Sequence, residues 1–137
     1  MAVAVGKDFM KKELEQRFYE RWPSWFSGRH EPISQNLMAF GFDHGDGWFD
    51  LEWRLCEDLE KLVGPGYKLF QIKEKFGTLR WYDSDDIVSD AANAAAHQRI
   101  REAEQESART CERCGKPGTL RQGGWWRTLC NTCVVPK

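Results

Sequence analysis

The chain has 137 residues, a formal net charge of −1 at pH 7, and a content that is 41% hydrophobic and 30% charged. That balance fits one folded domain, or one domain plus a small appended module, and argues against a disordered chain. Its apolar runs fall far short of the ~20 residues of a membrane span, and Met1–Lys12 has no apolar leader, so the expectation is a cytoplasmic protein without membrane contact rather than a membrane, collagenous or secreted one.

Asp8 to Trp22 has Phe9, Met10, Leu14 and Phe18 at helical spacing with Pro23 beyond, which predicts a first helix over about 8–22. Residues 23–47 hold two prolines and four glycines and read as a long irregular segment. Its aromatics Trp25, Phe26, Phe40 and Phe42 suggest that it is packed down. From 47 to 63, Leu51, Leu55, Cys56, Leu59, Leu62 and Val63 share one arc, which predicts an amphipathic helix with Asp46 as its N-cap and Gly64-Pro65-Gly66 as its end. A two-stranded hairpin is expected over 67–82, with strands Tyr67–Ile72 and Thr78–Tyr82 and a five-residue connection ending at Gly77. Alternation sets Phe70 and Ile72 against Leu79 and Trp81, a face that must pack on a helix. Asp83-Ser84-Asp85-Asp86 reads as a turn and cap. An alanine-rich third helix follows over about 87–109, with Ile87, Val88, Ala91, Ala92, Ala95 and Ala103 near one stripe.

Five cysteines without an export signal suggest a reducing compartment, where clustered thiols bind metal more often than they form disulfides. Cys111-Glu-Arg-Cys114 and Cys130-Asn-Thr-Cys133 are separated by fifteen residues. Each C-x-x-C turn brings two thiolates to one side of a metal, and two turns complete tetrahedral ligation of one Zn2+. Four protein ligands leave no open position, so the expected zinc is structural. A hairpin around Gly123-Gly124 would bring the second pair beside the first. The predicted fold is thus α+β: three helices and a two-stranded hairpin over 1–109, then a zinc-ribbon-like module over 110–137. Cys56 reads as a small core residue.

Three stretches resemble small zinc-ribbon-like proteins of unassigned function encoded in phage and prophage genomes. They are Phe40-Gly-Phe-Asp-His-Gly-Asp-Gly-Trp-Phe49 with Leu55-Cys56, Gln71-Ile-Lys-Glu-Lys-Phe-Gly-Thr-Leu-Arg-Trp-Tyr82, and Cys111-Glu-Arg-Cys-Gly-Lys-Pro-Gly-Thr-Leu-Arg121 with Gly124-Trp-Trp-Arg-Thr-Leu-Cys130. The resemblance implies a bacterial host cell and a zinc tail, and brings no activity. Similar proteins often continue as a helix past the second ligand pair, whereas here Pro136 argues against one.

The remaining candidates come from the residues. Glu52 lies inside the apolar arc of its helix, and a buried carboxylate must be paired or neutralised; Lys73, Lys75 and Arg80 on the hairpin are its expected partners. Trp125 and Trp126, adjacent on an expected strand, would point to opposite faces, one covering the zinc core. With Arg113, Arg121 and Arg127 nearby they form the candidate partner-binding surface. Residues 31–60 carry eight acidic side chains against Arg54, and 111–137 five basic ones against Glu112, so the acidic segment is a second candidate contact. The leading expectation is a non-enzymatic, zinc-stabilised protein that binds a bacterial host macromolecule, a protein first, to alter transcription or counter a defence. Binding of single-stranded nucleic acid through Trp125 or Trp126 is one alternative. A hydrolase built on Asp43, His44 and Asp46 is the other.

Overall fold

The computed structural model describes residues 7–84 and 89–134. Helix α1 (Lys12–Arg21) carries Glu13 and Glu15 in its first turn and Arg21 in its last, the polarity that a helix dipole favours. It begins later than its apolar spacing suggested. The carboxylate of Asp46, the expected cap of the second helix, instead accepts the Lys11 N–H at the start of α1 (2.8 Å), and the second helix has no side-chain cap bond. Trp22 sits in a non-helical conformation before Pro23, which closes the helix.

The irregular segment that follows is pinned at defined points. Asn36, buried, donates to the Leu69 carbonyl (3.0 Å) and accepts the Met38 N–H (2.8 Å). Leu69 N–H bonds to Trp25 O and Leu37 N–H to Phe70 O, each at 2.8 Å. Trp25, Phe26 and Phe42 are buried as expected, whereas Phe40 is exposed. The segment ends in strand β1 (Phe42–Asp43), which pairs parallel with the hairpin. The sheet therefore has three strands in the order β1-β2-β3, not two.

A 3-10 turn over Asp46–Trp48 leads into α2 (Phe49–Leu59), whose buried face is Phe49, Leu51, Glu52, Leu55, Cys56 and Leu59. Strands β2 (Leu69–Lys75) and β3 (Thr78–Asp83) are joined by Phe76-Gly77 alone, both at positive φ (54° and 83°), the tight turn whose twist matches paired strands. A bulge between Leu69 and Gln71 resets the alternation. Ile72 thus faces Trp81 as expected, but Leu69 is buried in place of Phe70, and Glu74 opposite Leu79 is buried too.

Helix α3 (Asp90–Ser107) is capped by Ser89, whose Oγ accepts the Ala92 N–H (3.1 Å). The expected start at Ile87, and the Asp85-Asp86 part of the expected cap, lie outside the described residues. Its buried stripe is Ala92, Ala96, Ile100, Ala103 and Ser107; Ala92 and Ala103 are as expected, whereas the expected Ala91 and Ala95 are exposed. The helix seals the free edge of β3. Ser107 Oγ accepts the Leu79 N–H (2.8 Å) and the Glu104 carboxylate accepts that of Trp81 (3.0 Å), which removes the edge as a pairing template.

Phe18 is at the centre of an aromatic core, its ring centroid within 6.2 Å of those of Trp22, Phe26, Phe42, Phe49 and Trp53. Trp22, Trp25, Trp48 and Trp81 are buried, so most of the tryptophans serve packing. Much of the acidic run goes into ion pairs with distant segments, among them Glu31 with Lys68, Asp43 with Lys7, Asp58 with Arg99 and Glu60 with Arg21. Among the described residues no helix is long and apolar enough to cross a membrane.

Candidate metal centre and binding surface

Strands β4 (Thr119–Arg121) and β5 (Arg127–Leu129) pair antiparallel and bring the second C-x-x-C turn beside the first. The sulfurs of Cys111, Cys114, Cys130 and Cys133 all lie within 4.8 Å of one another, and those of Cys114 and Cys130 are 3.6 Å apart. Thiolates placed tetrahedrally at the usual Zn–S distance are about 3.8 Å apart, so the cluster fits one ion with little adjustment. Four thiolates are a donor set that suits zinc. The Cys133 N–H reaches Cys130 Sγ (3.4 Å) and, with the neighbouring thiols, holds Cys130 down at about 6. Burial first, and the adjacent sulfurs next, push Cys133 up. An arriving cation therefore displaces protons.

The Asp43-His44-Gly45-Asp46-Gly47-Trp48 stretch is the seat on which the first knuckle rests. Gly47 N–H donates to Glu112 O (2.7 Å), Gly45 N–H to the Glu112 carboxylate (2.8 Å) and Trp48 Nε1 to Thr110 O (2.9 Å). The approach at Gly47 is so close that an added Cβ would stand 2.1 Å from the Cys111 carbonyl oxygen. Arg127 lies inside this joint, bonded to Glu112 (3.2 Å) and Asp8 (2.7 Å). Burial of Asp8 is outweighed by Arg113 and Arg127, which hold its carboxyl below the usual range.

His44 is fully buried. Its Nδ1 meets the Gly45 carbonyl and its Nε2 the Glu52 carboxylate, each at 2.7 Å. Contacts to oxygen at both nitrogens favour the protonated ring. Burial works against that charge, but Glu52 prevails and raises the His44 pKa. Glu52 is thus paired, as a buried carboxylate must be, with His44 and not with Lys73, Lys75 or Arg80. Those three alternate with the inward Ile72, Glu74, Leu79 and Trp81 and so occupy the opposite face of the sheet.

The proposed partner-contact residues separate into two groups. Arg127 is buried and Arg121 is bonded to Leu129 O (3.0 Å) and Asn131 (2.9 Å), while Arg113 is tied to Asp8 (2.9 Å). All three hold the module together. Trp125 and Trp126 precede β5 instead of lying in it, are 52% and 39% exposed, and neither belongs to the small apolar core of Cys111, Leu129 and Cys130. Instead both face the hairpin tip. Trp125 Nε1 donates to Glu74 (3.2 Å), Lys7 lies over its ring (5.5 Å), and Trp126 meets Phe76 edge to face (5.7 Å). Together with Lys73 and Lys75 they line an open groove of about 430 Å³.

Charged residues that sequence reasoning missed, Asp8, Glu15, Glu74 and Glu112, are all at joints between distant segments. Only Glu112 carries a local signal, its place next to the ligand Cys111. Comparison with known proteins returned no match, whether to a protein family, a curated protein or a solved structure.

Proposed function

We propose that the chain is a zinc-stabilised, non-enzymatic binding protein that works through the outer face of its sheet and the tip of its hairpin. The carrying observation is that Phe76, Trp125 and Trp126, all exposed, converge from two separate segments on one groove. Large exposed aromatic rings gathered in one place are what binding hot spots are made of. The strand chemistry adds to this. Phe76 occupies a positive-φ turn position where Asn or Gly would be unstrained, so its ring is kept at a conformational cost. The hydrolase alternative loses support because His44 is buried with both nitrogens engaged.

The resemblance to phage and prophage zinc-ribbon proteins makes a bacterial host macromolecule the partner, and altered transcription or defence the consequence. The test is retention from bacterial lysate by the tagged, zinc-loaded chain against its Trp126→Ala and Phe76→Asn variants. Loss of the retained macromolecule in both variants, at unchanged zinc content, is the expected result. Equal retention by all three would refute this surface.

A further inference from the structure

We propose that the ligand of this surface is single-stranded nucleic acid, held by the outer face of β2 and β3 with bases stacked on its rings and phosphates on its lysines and Arg80. This rests on the binding-protein reading above and names its ligand class. The cross-strand pairs on that face are Gln71–Tyr82, Lys73–Arg80 and Lys75–Thr78. Two cations directly opposite each other, Lys73 and Arg80, destabilise a sheet unless an anion lies between them. Among the described residues no carboxylate forms an ion pair with Lys73, Lys75 or Arg80, whereas Lys7 is satisfied by Asp43 (3.3 Å). Arg80 Nε makes no hydrogen bond, and Glu104 is the acid whose field it shares. Exposed rings bracket the cations, Tyr82 at one end and Phe76 with Trp126 at the other, at 44%, 60% and 39% exposure. Tyr82 lies five positions beyond Gly77 of the turn, about 16 Å along the strand, the scale on which exposed sheet aromatics stack two or three bases.

An acidic polypeptide is the competing anion, and it offers no flat rings for Tyr82, Phe76 and Trp126 to stack on. The experiment titrates the zinc-loaded full chain with a short oligothymidylate and, separately, with polyglutamate, following tryptophan fluorescence. Quenching by the oligonucleotide is expected, with a log–log salt slope of roughly −2 for three phosphate contacts. Phe76→Asn and Tyr82→Ser should each weaken it about tenfold, and Lys73→Gln with Arg80→Gln should flatten the slope, all at unchanged zinc content. Binding of polyglutamate in place of the oligonucleotide overturns the nucleic-acid inference and leaves the binding-protein reading standing. Oligonucleotide binding that the variants leave intact also overturns it. Binding of neither polymer, with lysate retention unaffected by Phe76→Asn, overturns both.

Discussion

Gly47 has no side chain because the Cys111 carbonyl already fills the space where one would go. Backbone cannot move aside as a flexible side chain can, so Gly47→Ala must pry the knuckle from its seat. The expected loss is about 3 kcal/mol, in the range of substitutions that break packed joints. Gly123→Ala, with nothing within 4 Å of its added carbon, should stay within about 0.5 kcal/mol. Urea unfolding of the two variants checks both, and equal stabilities would remove Gly47 from the joint. The His44–Glu52 pair gives a second residue-scale expectation. The folded chain holds His44 above its ordinary 6.5, so it keeps a proton that the unfolded chain gives up. The share that His44 contributes is complete below pH 6.5 and is lost as pH rises through its elevated value. Glu52, itself pushed up from 4.5 by burial with His44 opposing, adds a decline of the same sign. In Glu52→Gln the acid is gone and burial is opposed only by the Gly45 carbonyl and the Glu112 charge, so the decline carried by His44 should shrink. Denaturation curves on either side of pH 6.5 read the sign directly, and an unchanged slope would mean that the pair does not govern it.

At the scale of elements, the β2–β3 turn separates folding from binding. Phe76 sits at φ 54°, which costs a bulky residue about 1–2 kcal/mol, against about 0.5–1.5 kcal/mol returned by its edge contact with Trp126. Phe76→Asn should therefore leave thermal stability within about 1 kcal/mol of the parent while removing the ring from the groove. A loss well beyond that would make Phe76 a packing residue. This turn also marks where sequence legibility ended. The apolar spacing gave three helices, the hairpin and the cysteine pairing, because each is a local period or a fixed interval. It could not give the turn length, since Lys73, Glu74 and Lys75 look like loop residues until Glu74 is seen to accept bonds from Gly77 and Trp125. Nor could it give β1, which exists only because Phe42 and Asp43 meet Ile72 and Lys73, some thirty residues away. The metal site was legible residue by residue. The groove was not, because Lys7, Phe76 and Trp126 share no sequence neighbourhood.

For the molecule as a whole, the question is how far the metal's stabilisation travels. Zinc binding by four-cysteine modules is worth about 10–16 kcal/mol, comparable with the ~5–15 kcal/mol of an entire domain. Here the ligands are not on a freely hinged tail. Glu112, next to Cys111, accepts bonds from Gly45 and Gly47, and Arg127 ties the second half of the hairpin to Asp8. Elemental analysis should find one zinc per chain, and Cys130→Ser should abolish it. Stripping the ion should then cost amide protection first in 110–134 and, through Glu112, in the 43–48 stretch. The Leu79 and Trp81 amides, bonded to Ser107 and Glu104 of α3, belong to the main core and should stay protected. Hydrogen exchange of zinc-loaded and chelated chain separates the outcomes. If Gly45 and Gly47 keep their protection after chelation, the knuckle docks without its metal and zinc orders only the hairpin. If they lose it together with the tail, the ion holds the loop in front of α2 as well, and the groove formed by Lys7, Phe76 and Trp126 depends on zinc although none of its residues binds it.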